Sequence, residues 1–228
     1  MPTSVFTARQ LSLDLPDAPP RYDRSSYMHS DSNNAAWRAG ETWLASEEPA
    51  LVVCGPPGAG KSHFAHALLE NEKFKSVPAE QFDAGTGNED FLIIDDMPSA
   101  DPREFISAME GAIADGCRLL LAGAGHPSEW SLGLKDLKTR LEAATRAVLA
   151  DPDEMLIRGV IAKGFRDRQL SVSPAVVEYA APRLPRTFAA AHGFVALADR
   201  LALEEKRKIT TPFVQNILAN LSEGDPGA

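Results

Sequence analysis

The residues with the clearest chemistry in this 228-residue chain are eight in a row, Gly55-Pro56-Pro57-Gly58-Ala59-Gly60-Lys61-Ser62. They spell G-x-x-x-x-G-K-S. Glycines at this spacing let backbone N–H groups close around phosphate oxygens, while the lysine adds a cation and the serine a hard oxygen. The expected nucleotide contacts are Gly55, Gly58, Ala59, Gly60 and His63 along the loop and helix start. Lys61 would reach the β- and γ-phosphates, and Ser62 would ligate Mg²⁺. A chance match in a chain this long has odds on the order of one in a hundred. The second group is Phe91-Leu92-Ile93-Ile94-Asp95-Asp96. Two acids after an apolar strand read, by themselves, as a turn. Beside a phosphate loop they complete a site, with Asp95 in the Mg²⁺ shell and Asp96 orienting or polarising the attacking water.

These groups need elements to hold them. Leu51–Cys54 is a short β-rich run directly before the loop, and Ser62–Leu69 carries Phe64, Ala65, Leu68 and Leu69 at helical spacing after it. Phe91–Ile94 and Arg118–Ala122 are continuous apolar runs, as expected of strands buried on both faces of a parallel sheet. Arg103–Ala114 supplies Phe105, Ile106, Met109 and Ile113 as one helical stripe, and Asn34–Ala45 reads as a further helix. The expected fold is α/β, a parallel αβα sheet with crossover helices. Only 34 positions separate Lys61 from Asp95, so Ser76–Glu89 holds one abbreviated strand or none. After about Ala150 only helical patterns remain. Asp151 reads as an N-cap with Pro152 at the first helical position, and Ser173-Pro174 and Thr211-Pro212 repeat the signal. The expected division is a flexible tail over 1–21, a nucleotide-binding α/β domain over 22–150 and a small helical lid over 151–228.

Composition narrows the function. Net charge is −9, with 23 basic and 32 acidic residues, a poor basis for wrapping DNA by charge. Cys54 and Cys117 each lie in an apolar run and read as buried, reduced thiols, not as a disulfide or metal site. The first twenty residues lack the apolar core of a signal peptide, and no apolar run approaches the ~20 residues that span a bilayer. A cytoplasmic protein without membrane contact is expected.

The phosphate loop, the acidic strand and the helical region after them resemble the AAA+ family of P-loop proteins. Further segments resemble the Hda family within it, relatives of the replication initiator DnaA. Gln10-Leu11-Ser12-Leu13-Asp14-Leu15 is similar to the short motif with which that family binds the sliding clamp (beta) of DNA polymerase III. Gln10, Leu11, Leu13 and Leu15 would be its contacts, the three leucines projecting to one side of an extended tail. Leu132–Leu141 resembles the segment carrying the arginine finger, here Arg140, which acts in trans on a neighbour's γ-phosphate; otherwise Arg140 reads as part of a solvated helix face. Pro185-Arg186-Thr187-Phe188 resembles the sensor-2 arginine in the first turn of a lid helix, so Arg186 would monitor the nucleotide. Lys208–Val214 resembles the family's closing segment, after which the initiator would continue into a DNA-binding domain. No direct sequence-specific DNA binding is therefore expected.

The resemblance implies ADP or ATP with Mg²⁺ as ligands, DnaA and the clamp as partners, and a homodimer or higher oligomer. It implies a negative regulator of replication initiation that, with the DNA-loaded clamp, stimulates hydrolysis of DnaA-bound ATP. The adenine would contact residues 27–30 by analogy. One departure stands out: Ala124 occupies the place near which the initiator family has an acidic sensor-1 residue, so intrinsic hydrolysis should be slow or absent. A helicase-loader-type ATPase and a P-loop kinase of a small metabolite are the alternatives. Vigorous turnover by the chain alone would mark the first, and an acceptor pocket with its own base the second.

Overall fold

The computed structural model describes residues 22–83, 85, 89–97, 102–130 and 135–223. The proposed clamp contacts Gln10, Leu11, Leu13 and Leu15 lie outside these residues. Contacts divide the chain between Leu156 and Ile157, a few residues beyond the boundary expected at 150.

The first unit is built on a five-stranded, all-parallel sheet: β1 (Ala50–Gly55), β2 (Phe74–Pro78), β3 (Phe91–Met97), β4 (Arg118–Ala124) and β5 (Thr145–Val148), in the order β2-β3-β4-β1-β5. Helices α1 (Asn34–Leu44) and α2 (Lys61–Leu68) pack on one face, and α3 (Pro102–Ala114) and α4 (Lys135–Ala143) on the other. Side chains alternate across each strand. Val52, Cys54, Leu92, Ile94, Leu119 and Leu121 join Phe105 and Met109 of α3 and Leu137 and Leu141 of α4. Leu51, Val53, Ile93, Leu120 and Ala122 join Trp37 and Trp43 of α1 and Phe64 and Leu68 of α2. Burial on both faces is why β1, β3 and β4 read as unbroken apolar runs. The Ser76–Glu89 region does hold one short strand end, since β2 runs from Phe74 to Pro78 and passes into a 3-10 turn at Ala79–Gln81. The edge strand β5, Thr-Arg-Ala-Val, has too little apolar content to be read from sequence. Both cysteines are buried and free, and burial together with Asp90 and Glu89 pushes the Cys117 thiol up to about 11.

Arg118, the first residue of β4, closes the far end of the sheet. Its guanidinium donates to the carbonyl oxygens of Trp43, Leu44 (3.1 Å) and Glu48 (3.2 Å), and lies 4.4 Å from the Trp43 ring centroid. It thereby supplements the end of α1 at the Trp43 and Leu44 carbonyls, which no intrahelical N–H reaches, and ties down Glu48 in the segment that follows.

The second unit is helical throughout its described residues. It comprises most of α5 (Glu154–Asp167), then α6 (Pro174–Ala180), α7 (Phe188–Glu204) and α8 (Thr211–Glu223), around a core including Ile161, Phe165, Val176, Phe194, Val195 and Val214. Phe165 and Phe194 meet edge to face at 6.0 Å. The helix starts differ from those expected. Asp153, not Asp151, caps α5: its Oδ1 accepts from the Leu156 N–H at 2.8 Å, while Oδ2 accepts from the Ser32 N–H at 3.3 Å. A cap must reach the N–H three residues on, and Asp151 is too far from the first helical turn to do so. Thr211 is the first residue of α8, which places Pro212 at its second position.

Two outcomes follow. Arg118→Ala removes a donor from the carbonyls of Trp43, Leu44 and Glu48, of which Trp43 keeps the Ser46 N–H, and should lower stability by about 1–3 kcal/mol in urea unfolding. For Asp153, partial burial raises the carboxyl pKa, but hydrogen bonds from Leu156, Ser30 and Ser32 outweigh it and hold the value below the usual one. Its stabilising effect is therefore complete above the unfolded pKa of about 4 and lost as pH falls through the lower folded value. Asp153→Asn should lose less melting temperature than the native chain between pH 5 and pH 2.5.

Candidate nucleotide site

The site forms at the carboxyl end of the sheet, where β1 runs into the glycine loop and the loop into α2. Leu149 N–H donates to Cys54 O at 2.8 Å and Gly125 N–H to Gly55 O at 3.1 Å, drawing the ends of β5 and β4 onto β1. At Gly55 (φ 152°) an added Cβ would stand 2.3 Å from the Leu149 carbonyl oxygen. Only glycine fits that approach. Gly60 caps α2 in the left-handed region (φ 85°), so the loop turns directly into a helix whose first N–H groups have no intrahelical partner. Between them, Ala59 N–H closes a turn onto Pro56 O at 3.2 Å, while its methyl is buried against α1 and α2. Gly58 has open space around its Cα.

Lys61 folds back over the loop, its Nζ donating to Pro56 O at 2.8 Å and to Gly55 O at 3.2 Å. Burial lowers its ammonium pKa, partly countered by Asp95, Asp96 and Cys54. Ser62 Oγ donates to Asp95 Oδ2 at 2.5 Å, so the hydroxyl and carboxylate named from sequence do meet across the strand between them. They meet because β3 does not end at its two acids. The register with β4 shifts between Ile94 and Met97, where Asp95 and Asp96 together oppose one residue. Asp96 takes a left-handed backbone (φ 61°) and its N–H donates to Asp95 Oδ1 at 2.9 Å. This bulge turns Asp95 toward Ser62 and leaves the Asp96 side chain exposed. A serine hydroxyl and a carboxylate this close are the hard-oxygen pair that suits Mg²⁺, and the glycine cradle suits phosphate; the residues fit both groups.

Other expected contacts stand elsewhere. The His63 imidazole turns away from the loop, its Nε2 3.1 Å from Ser26 Oγ and 3.3 Å from Asp23 O, so any phosphate contact of His63 is a main-chain one. In the 27–30 segment Tyr27 stacks on Trp37 at 4.8 Å, and Asn33 binds Met28 O and Ser30 N–H. Arg140, in the last turn of α4, is on the surface and forms a 2.6 Å ion pair with Glu110 of α3. Arg186 does not lie in a helical turn. Thr187 caps α7 by accepting from the Ala190 N–H at 3.1 Å, which leaves Arg186 exposed ahead of the cap. Ala124 ends β4, and its carbonyl accepts from Trp130 Nε1 at 2.6 Å.

Sequence reasoning did not find five of the residues that border the site. Tyr22, His66, Ser76, Val77 and Pro78 join Ser62, Asp95 and Asp96 around a cleft of about 290 Å³. His66 was within reach of helical spacing, four residues after Ser62; Tyr22 carried no signal.

A parallel sheet in this order, with a glycine loop after β1 and an acidic pair on β3, one strand beyond its neighbour β4, has the AAA+ fold. Solved structures agree. Domain III of the Thermotoga maritima replication initiation protein DnaA matches with TM-score 0.75 at 16% identity, over 88% of this chain and 97% of that one. Replication initiator DnaA bound to AMPPCP and single-stranded DNA matches with TM-score 0.66 at 16% identity, over 82% and 68%. A point mutant of Thermotoga maritima RuvB matches with TM-score 0.69 at 17% identity, over 89% and 73%. At these identities the likeness is one of fold. No curated protein sequence matches the chain. Residues 158–218 match the family model for the Hda lid domain, and the chain as a whole shares its fold with DnaA domain III. Among the described residues no helix is long and apolar enough to cross a membrane.

Gly55→Ala should put strain on the loop and a methyl against the Leu149 carbonyl. A loss of about 3 kcal/mol in urea unfolding is expected, with loss of nucleotide binding in fluorescence titration.

Proposed function

We propose that this protein is a nucleotide-bound negative regulator of replication initiation that completes the ATPase site of DnaA. The observation that carries the reading is an Hda-type lid over 158–218 following an intact phosphate loop. The DnaA structure bound to AMPPCP, which shares the fold, supports an adenine nucleotide as ligand. Gly55, Gly58, Ala59, Gly60 and the His63 main chain hold its phosphates, Lys61 the β- and γ-oxygens, and Ser62 and Asp95 a divalent ion. When bound, Mg²⁺ supplies charge neutralisation at the β- and γ-phosphates. Arg186 senses which nucleotide is present. The resemblance to the Hda family supports ADP as the working ligand, and with no polar side chain at Ala124 to help place a water, intrinsic turnover is slow.

Arg140 then acts on a neighbour. It is exposed in α4, and its pair with Glu110 is half-exposed on both sides, a kind of contact worth only about 0–1 kcal/mol. A γ-phosphate in the DnaA site is a stronger partner for its planar fork. Gln10, Leu11, Leu13 and Leu15 bring the protein to the DNA-loaded sliding clamp, and self-association regulates access to Arg140.

The test is the rate at which DnaA hydrolyses its bound ATP when this protein, clamp and primed DNA are added. Native protein should accelerate it. Arg140→Ala and a version lacking residues 1–17 should each lose the stimulation, by on the order of 10³-fold for Arg140→Ala. Absence of stimulation, together with vigorous ATP turnover by the chain alone, would point instead to a loader-type ATPase.

A further inference from the structure

The cleft beside the Ser62–Asp95 pair has an aromatic wall supplied from outside the sheet. Tyr22 precedes a short segment folded down onto α2. Asp23 caps the 3-10 turn at Arg24–Ser26 by accepting from the Ser26 N–H at 2.7 Å, and Ser26 Oγ stands 3.1 Å from His63 Nε2. That anchoring lays the Tyr22 ring along α2, with its centroid 5.1 Å from His66 and 5.7 Å from His63. Both imidazoles are already committed to packing: His66 also meets Phe74 of β2 edge to face at 5.3 Å, and His63 meets Tyr27 at 5.3 Å. The ladder Tyr22–His66–Phe74 thus runs from the segment before the sheet, over the first turns of α2, to the edge strand. Its Tyr22 end borders the space that Ser62, Asp95 and Asp96 border from the other sides.

The position has a physical consequence. The charged groups of the site act on bound phosphate more strongly when water is kept from them. Lys61 and the glycine loop cover one side of the phosphates. The side toward β2 is open to solvent unless a bulky group stands there. Tyr22 is such a group, and Asp95 is close enough to it that, after burial itself, its charge helps raise the phenol pKa. The phenol is neutral at physiological pH and adds no charge against the phosphates.

We infer that Tyr22 is a positioning residue of the nucleotide site, an aromatic wall that shields the metal-binding end of the phosphate pocket and so tightens the Mg²⁺-dependent part of nucleotide binding. The inference rests on the nucleotide reading above. It requires the ring and not the hydroxyl, because the ring is what packs on His66 and fills the side of the cleft.

The experiment is titration of the full chain with fluorescent ADP, in Mg²⁺ and in EDTA, for the native protein, Tyr22→Ala, Tyr22→Phe and Lys61→Ala. Tyr22→Ala should weaken binding about tenfold in Mg²⁺ and leave the EDTA affinity unchanged, and Tyr22→Phe should match the native protein in both. Equal affinity of Tyr22→Ala and native protein in Mg²⁺ overturns the inference. So does an equal loss in Mg²⁺ and EDTA, which would mean that Tyr22 only anchors its segment, and so does failure of Tyr22→Phe to restore binding. Lys61→Ala separates the two readings: if it binds ADP as the native protein does, the nucleotide assignment itself is wrong.

Discussion

Three strand ends converge on one glycine. At Gly55 the main chain of β1 accepts a hydrogen bond from the end of β4, while the residue before it accepts one from the residue following β5, and the Leu149 carbonyl fills the place of a side chain. No residue with a Cβ allows the three to close this far. The rest of the site follows from the approach. It fixes where β1 stops, hence where the loop turns and where the N-terminus of α2 points. It also holds the ends of β4 and β5 against the loop, so that the carboxyl end of the sheet is one rigid rim. Rigidity at this point is what allows a phosphate cradle made mainly of backbone to keep its shape.

The carboxylate side is fixed by a different device. A regular strand would carry Asp95 past Ser62 with alternate side chains facing opposite helices. The extra residue in β3 opposite β4 breaks that alternation, with Asp96 taking a left-handed backbone that few residues other than glycine, asparagine and aspartate adopt readily. The strain lies beside the reacting groups, as strained backbone commonly does. Beyond the bulge Met97 resumes the sheet and packs against Gly123, on which the Trp130 ring also lies. Trp130 binds the Ala124 carbonyl as well. The end of β4 is thus held by packing at Gly123, and Ala124 contributes its carbonyl and no polar side chain.

In the proposed role the protein's two arginines of interest sit where redirecting them costs little. Arg140 is paired with Glu110 in an exposed contact that a phosphate displaces, and Arg186 stands ahead of the Thr187 cap, clear of the helix that follows. A half-buried arginine such as Arg118, bound to three carbonyls, could not be recruited in the same way.

The sequence by itself determined what is encoded by contiguous residues. The glycine loop, the apolar runs of β1, β3 and β4, the stripe of α3 and the change to helices in the last third are local patterns, and local spacing is enough to read them. Arg140 and Arg186 were located by likeness of short segments, which says nothing of where their side chains rest. Helix starts were read a residue or two wrong at Asp153 and Arg186, because several side chains near a helix start could cap it and only the folded backbone selects one. Tertiary structure alone decided the rest. The bulge that joins Asp95 to Ser62 depends on the register between β3 and β4, the weak strand β5 exists because β1 offers it an edge, and Tyr22 reaches the cleft because Asp23 and Ser26 pin its segment to α2. Each of these comes from contacts between residues far apart in the chain, and such contacts leave no period in the sequence from which they could be read.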